Sequence, residues 1–173
     1  MAIYPNFSIP CEGRPIPGKP GWIAYEDGSI SVPKNIRRNK LRTKGHQKPH
    51  KYMVHRDING VDHYMHRLVA LAFVENPNPA VFTEVDHING CRRDNRPCNL
   101  RWANRSIQCL NRDFRGAHWS PRFGKWYSKC IVEGVTHRLG WFKTQAEASA
   151  KYKRFKENAI KQIYLENTVN NEA

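Results

Sequence analysis

Position 87 is a histidine, a side chain that can take a proton from water near neutral pH, and it directly follows a carboxylate, Asp86. On an unbroken strand these neighbours would point to opposite faces. They can serve one site only if the strand ends or bends there. The polar loop that follows, with Asn89-Gly90 as its turn signal, allows that. A hard cation such as Mg²⁺ takes carboxylate and amide oxygens, and Asp86 offers the first. Gln108, about twenty residues on, could offer the second. A metal beside a general base is a sufficient kit for phosphodiester hydrolysis.

Short elements must hold these groups. A β-prone run from Phe82 to Val85 leads into Asp86-His87, and a second, Leu100-Arg101-Trp102, follows the loop. Asn104 or Ser106 could then cap a short helix reaching about Asn111. Strand, loop, strand and helix in that order can gather a few polar groups around one point.

The stretch Glu84 to Arg112 resembles the HNH endonuclease motif, the ββα-metal fold. It is most similar to the form in phage homing endonucleases, where Asp-His, then Asn-Leu-Arg-Trp, then a polar helix recur. His66-Arg67-Leu68-Val69-Ala70 also resembles the segment preceding the motif in that family. The resemblance implies that His87 activates the attacking water and that Asp86 and Gln108 bind one divalent metal, Mg²⁺ or Mn²⁺. It places Asn99 at the middle asparagine, which braces the loop carrying the histidine, and gives Asn95 and Asn111 supporting or phosphate-contacting roles. Cleavage would leave a 5′ phosphate and a 3′ hydroxyl. The family more often has Asn or His where this chain has Gln108. A shift in helix register would make Asn111 or Asn104 the ligand instead.

Composition points the same way. Over 173 residues, 29 Lys and Arg face 15 Asp and Glu, a formal net charge of +14. Nucleic acid is the polyanion that rewards such spread-out cations, by counterion release, and the resemblance implies that it is double-stranded DNA. No apolar run approaches the length of about 20 residues that spans a bilayer, so a membrane partner is not expected. The N-terminus has neither a basic start nor an apolar core, and an intracellular location is expected, a bacterial cytoplasm if the chain is phage-encoded. Five scattered cysteines, 11, 91, 98, 109 and 130, argue against a disulfide framework. They contain no Cys-x-x-Cys pair, so no structural zinc is expected.

Upstream of the motif, residues 1–56 are expected to form an N-terminal hairpin module and a basic arm. Trp22 to Tyr25 and Ile30 to Val32 flank an Asp27-Gly28 turn. Residues 34–56 contain no acidic side chain, and Arg37, Arg38, Lys40, Arg42 and Lys44 are the expected phosphate contacts. Asn59-Gly60 marks a second hairpin between Tyr52–Val54 and Tyr64–Met65, with His55, His63 and His66 on or beside it. A metal cluster of these three is conceivable, and neutral or phosphate-contacting histidines are the preferred reading. The apolar run Leu68 to Val74 predicts a core helix burying Leu68, Leu71, Ala72 and Phe73.

Downstream, Lys125 to Val132 alternates with period two, placing Trp126, Ser128, Cys130 and Val132 opposite Lys125, Tyr127, Lys129 and Ile131. Glu133-Gly134 turns the chain into a strand from Val135 to Phe142. Thr144-x-x-Glu147 has the capping-box form and opens a helix with Ala148, Tyr152, Phe155, Ala159 and Ile163 on one face. Arg115-Gly116, Gly124-Lys125-Trp126, Leu139-Gly140-x-Phe142 and the Ala-rich helix resemble an AP2 DNA-binding domain. That resemblance implies a sheet laid in the DNA major groove, with Arg115, His118, Lys129 and Arg138 as contacts and Arg138 or Arg115 reading guanine. Lys129 and Ile131 depart from the residues common in plant members.

The expected fold class is α+β, a ββα-metal core with N-terminal hairpins and a basic arm, plus a C-terminal three-stranded antiparallel sheet on one helix. The expected segments are 1–56, the nuclease core 57–113, the AP2-like domain 114–163 and a flexible tail 164–173. The expected function is site-specific DNA cleavage of the homing type, by a monomer rather than a dimer. One motif without repeat leaves nicking and double-strand cutting both open. The rivals are a DNA-binding regulator with an inactive HNH fold and an RNA-cleaving relative.

Overall fold

The computed structural model describes residues 13–33, 42–48, 52–112 and 116–169. The expected contacts Arg37, Arg38, Lys40 and Arg115 lie outside the described residues. The described residues fall into two compact units, one within Met1–Glu75 and Glu84–Trp102, the other within Asn76–Thr83 and Ala103–Ala173. The N-terminal hairpins therefore share a unit with the strand carrying His87, where the sequence boundary at 56 separates them. The helix carrying Gln108 belongs to the second unit.

In the first unit, β1 (Gly13–Pro15), β2 (Ile23–Tyr25), β3 (Ile30–Ser31) and β4 (Arg42–Thr43) form one sheet in that order. The β2–β3 turn forms as expected. Asp27 Oδ1 accepts from the Ser29 amide and hydroxyl, and Gly28 takes a positive φ of 78°. Ala24 and Ile30 are fully buried. A second sheet holds β5 (His46–Gln47), β6 (Met53–Arg56) and β7 (Asp62–Tyr64). Its Asn59-Gly60 turn is tied by Asp57 Oδ1, which accepts from the amides of Asn59 and Val61, each at 2.9 Å.

Helix α1 (Met65–Phe73) follows β7 without a break. It buries Met65, His66, Leu68, Val69 and Ala70, whereas Leu71 is 43% exposed and Ala72 and Phe73 are half-buried. The expected burial of Leu71 is thus corrected. The helix starts at Met65, three residues before Leu68, so residues 65, 69 and 66, 70 stack one turn apart and define the buried face. Trp102 Nε1 donates to the carbonyl of Val74 at the helix end, 2.9 Å away. Strands β8 (Glu84–His87) and β9 (Leu100–Ala103) pair with each other, joined through a 3₁₀ turn at Pro97–Asn99.

In the second unit, α2 (Arg105–Asn111) is capped by Asn104, whose side chain accepts from the Ile107 amide at 3.0 Å. Strands β10 (His118–Ser120), β11 (Lys125–Val132) and β12 (Val135–Phe142) form an antiparallel sheet on which α3 (Gln145–Val169) packs. The expected alternation holds, with Ser128 and Cys130 buried on the helix side. The capping box is formed. Glu147 Oε2 accepts from the Lys143 and Thr144 amides, and Thr144 Oγ1 accepts from the Glu147 amide at 3.2 Å. The tail expected from 164 is corrected, since α3 continues to Val169. Asn78 Nδ2 donates to the Asn167 carbonyl and Phe82 packs on the Tyr164 ring, so the last turns have partners distant in sequence. Among the described residues, no helix is long and apolar enough to cross a membrane.

Candidate active site

Strand β8 ends on His87, and the chain turns at once, with the Gly90 amide donating to the His87 carbonyl at 2.9 Å. The strand therefore stops at the Asp86-His87 pair, as a shared site requires. His87 is 4% exposed, and its Nε2 lies 3.1 Å from Asn95 Oδ1. Burial holds the imidazole below its ordinary value, against the Asn95 hydrogen bond and the Asp86 and Asp94 carboxylates, which raise it. His87 is thus neutral at neutral pH, the state in which it can accept a proton. With Nε2–H donated to Asn95, Nδ1 carries the lone pair.

Asn99 fixes the loop between the two strands. Its Oδ1 accepts from the Asn89 amide at 3.0 Å, its Nδ2 donates to the Asp94 carbonyl at 2.8 Å, and its own carbonyl accepts from Ile88 at 2.9 Å. It is buried, so each of these bonds replaces one to water. The Arg96 guanidinium pairs with Asp94 and holds that carboxyl down at about 2.

Asp86 is partly buried, and its Oδ2 accepts from Arg101 Nε at 3.0 Å and Nη2 at 2.7 Å. This ion pair on the β8–β9 sheet is a feature the sequence reading missed. Arg101 stands in the Asn-Leu-Arg-Trp run, and the pairing of the two β-prone runs was the available signal. Asp86 and Gln108 present oxygen donors, the chemistry that suits a hard cation. Gln108 lies on α2, partly buried, with its amide donating to the Asn104 carbonyl. Asn111 ends the same helix. Among the described residues, no group of three or more His, Cys, Asp or Glu side chains could hold a metal.

The three upstream histidines do not form one cluster. His55 and His63 are cross-strand partners that both meet the Trp22 ring edge-on, with centroids 5.3 Å from it, and His63 pairs with Asp57 at 2.9 Å. His66, at the start of α1, packs instead on His87, with ring centroids 5.1 Å apart, and on Tyr52 at 5.0 Å. The Arg92 guanidinium lies over the Tyr52 ring at 4.5 Å. His66 Nδ1 is buried without a hydrogen-bond partner, and burial pushes the imidazole down to about 3. Its place beside His87 follows from α1 beginning at Met65, three residues earlier than the apolar run suggests.

Of the arm's expected DNA contacts, Arg42 is held within its own sheet. It pairs with Asp27 at 3.0 Å, donates to Ser29 Oγ at 2.7 Å and lies over Tyr25 at 4.0 Å. Lys44 is exposed, 3.8 Å from Asp27. His118, Lys129 and Arg138 lie on β10, β11 and β12, with Lys129 and Arg138 directly paired in register.

Residues 63–109 match the family model described as HNH endonuclease. An uncharacterized HNH endonuclease, L247, of Acanthamoeba polyphaga mimivirus is 35% identical over 94 residues, 53% of this chain and 23% of that protein. The chain therefore spans about a quarter of the length of that curated relative. A solved structure of the HNH homing endonuclease I-HmuI, concerned with its DNA binding and cleavage, is similar over 58% of this chain and 56% of its own. The two are 26% identical, with a TM-score of 0.46. The stretch similar to the HNH endonuclease family thus contains the candidate general base His87, the two asparagines that hold it and its loop, and both candidate metal ligands.

Proposed function

We propose that this protein is a metal-dependent DNA endonuclease of the HNH type, acting at specific sites in the manner of homing endonucleases. The observation that carries the reading is His87, buried and neutral, held by Asn95 at the end of β8 beside Asp86, inside the stretch that matches the family. His87 takes a proton from the attacking water at its lone-pair nitrogen, and the Asn95 bond keeps the ring in the required tautomer. Asn99 holds the loop so that the ring does not drift. Asp86 and Gln108 would hold one divalent metal, Mg²⁺ or Mn²⁺. When bound, it supplies Lewis-acid stabilisation of charge on the phosphate and the departing 3′ oxygen. The products are a 5′ phosphate and a 3′ hydroxyl. Lys129 and Arg138 present cations on the C-terminal sheet, the AP2-like part of the proposal, and together with His118 contact the DNA.

One observation favours a second reading, a DNA-binding regulator that does not cut. The Asp86 carboxylate is already engaged by both Arg101 donors. A plasmid-cleavage assay with Mg²⁺, Mn²⁺ or EDTA separates the two. It includes DNA from the protein's own genomic neighbourhood. Open circles or linear product in metal and none in EDTA support the nuclease. Binding without cleavage in either metal supports the regulator.

A further inference from the structure

The geometry points to a stacking platform for unpaired bases on the open face of the β10–β11–β12 sheet, so that this sheet engages single-stranded DNA in preference to a closed duplex. The inference rests on the DNA reading above and goes beyond it by naming the form of DNA. Ser128 and Cys130 face α3, so their neighbours Tyr127 and Lys129 face away from it. His118 is the register partner of Tyr127, and Tyr127 is the partner of Trp141. The three rings therefore stand in one row across the three strands. Their centroids are 5.2 Å apart between His118 and Tyr127 and 5.3 Å between Tyr127 and Trp141. Phe123, in the β10–β11 turn, extends the row against Trp141 at 5.0 Å.

Two of the four rings are open to solvent, with Trp141 52% and Phe123 56% exposed. Solvent-exposed aromatic area of this kind is costly unless something covers it. Charge identifies the occupant. Lys129 and Arg138 form the next pair along the same face, Lys125 stands on β11, and Arg122 lies over the Phe123 ring. From 118 to 142 Glu133, in the β11–β12 turn, is the lone acidic residue of the sequence. Rings flanked by cations suit a strand whose bases stack on the rings while its phosphates meet the lysines and arginines. A closed duplex offers the phosphates but hides the base faces.

The test uses the full chain in EDTA, so that nothing is cut, and fluorescence anisotropy with three labelled probes of equal length. These are a single strand, its duplex, and a strand in which abasic sites replace the central bases. The expected result is tighter binding to the single strand than to the duplex or the abasic strand, with quenching of tryptophan fluorescence. Trp141→Ala and Phe123→Ala should each weaken single-strand binding about fivefold or more and change duplex binding less than twofold. Equal affinity for the intact and abasic strands overturns the platform, and that comparison needs no variant to fold. Duplex binding without single-strand preference overturns this inference and leaves the DNA reading standing. Binding to none of the probes overturns both.

Discussion

His87 and His66 share one buried place, and burial acts on both in the same direction. The unfolded chain takes up a proton on each imidazole below about pH 6.5. Folded His66 resists protonation until about 3, and folded His87 is also held below its ordinary value. The unfolded state therefore binds more protons between these limits, so stability is full above about pH 6.5 and falls as the pH drops. For His66 alone the loss reaches about 3 kcal/mol by pH 4.5. Urea unfolding at pH 7.5 and 4.5 measures it, and His66→Leu should flatten the acid limb. A limb unchanged in His66→Leu would assign the acid sensitivity to other groups. Asn99 makes a separate prediction. Asn99→Ala leaves the Asn89 amide and Asp94 carbonyl without their bonds, a loss of about 1–3 kcal/mol in urea unfolding.

At the scale of elements, the N-terminal hairpin supports the site directly. A Cβ at Gly28 would lie 2.7 Å from the backbone carbonyl carbon of Asn95, and the residue has φ +78°. Gly28→Ala therefore presses the β2–β3 turn into the loop that holds His87. It should lower the melting temperature and the cleavage rate together, whereas the same change at Gly60, with open space around it, should lower stability alone. Asn104→Ala should cost about 1 kcal/mol of stability through loss of the α2 cap. These elements were legible in sequence to different degrees. The bounds of β11 and β12, the Asn104 cap and the Thr144–Glu147 box follow from local period and capping chemistry, which a short window contains. The Asn95–His87 bond, the Arg101–Asp86 pair and the last turns of α3 depend on partners distant in sequence. The ring row across β10 to β12 needed cross-strand register, because period two within one strand gives only the face of Tyr127.

For the whole molecule, a formal net charge of +14 predicts that the proposed binding to DNA is salt-dependent. If about six phosphates are contacted, raising salt from about 50 to 200 mM should weaken binding about a thousandfold. Arg138→Ala should reduce the slope of log affinity against log salt by about one if Arg138 meets a phosphate. If it reads a base, sequence preference relaxes and the slope holds. The most direct measurement of the central claim compares wild type and His87→Ala on the same supercoiled DNA, with cleavage rate and binding affinity read side by side. The account predicts a rate lower by about 10²–10⁴-fold with affinity within twofold, because the lost group moves a proton and anchors no phosphate. Equal cleavage by the two proteins would contradict it.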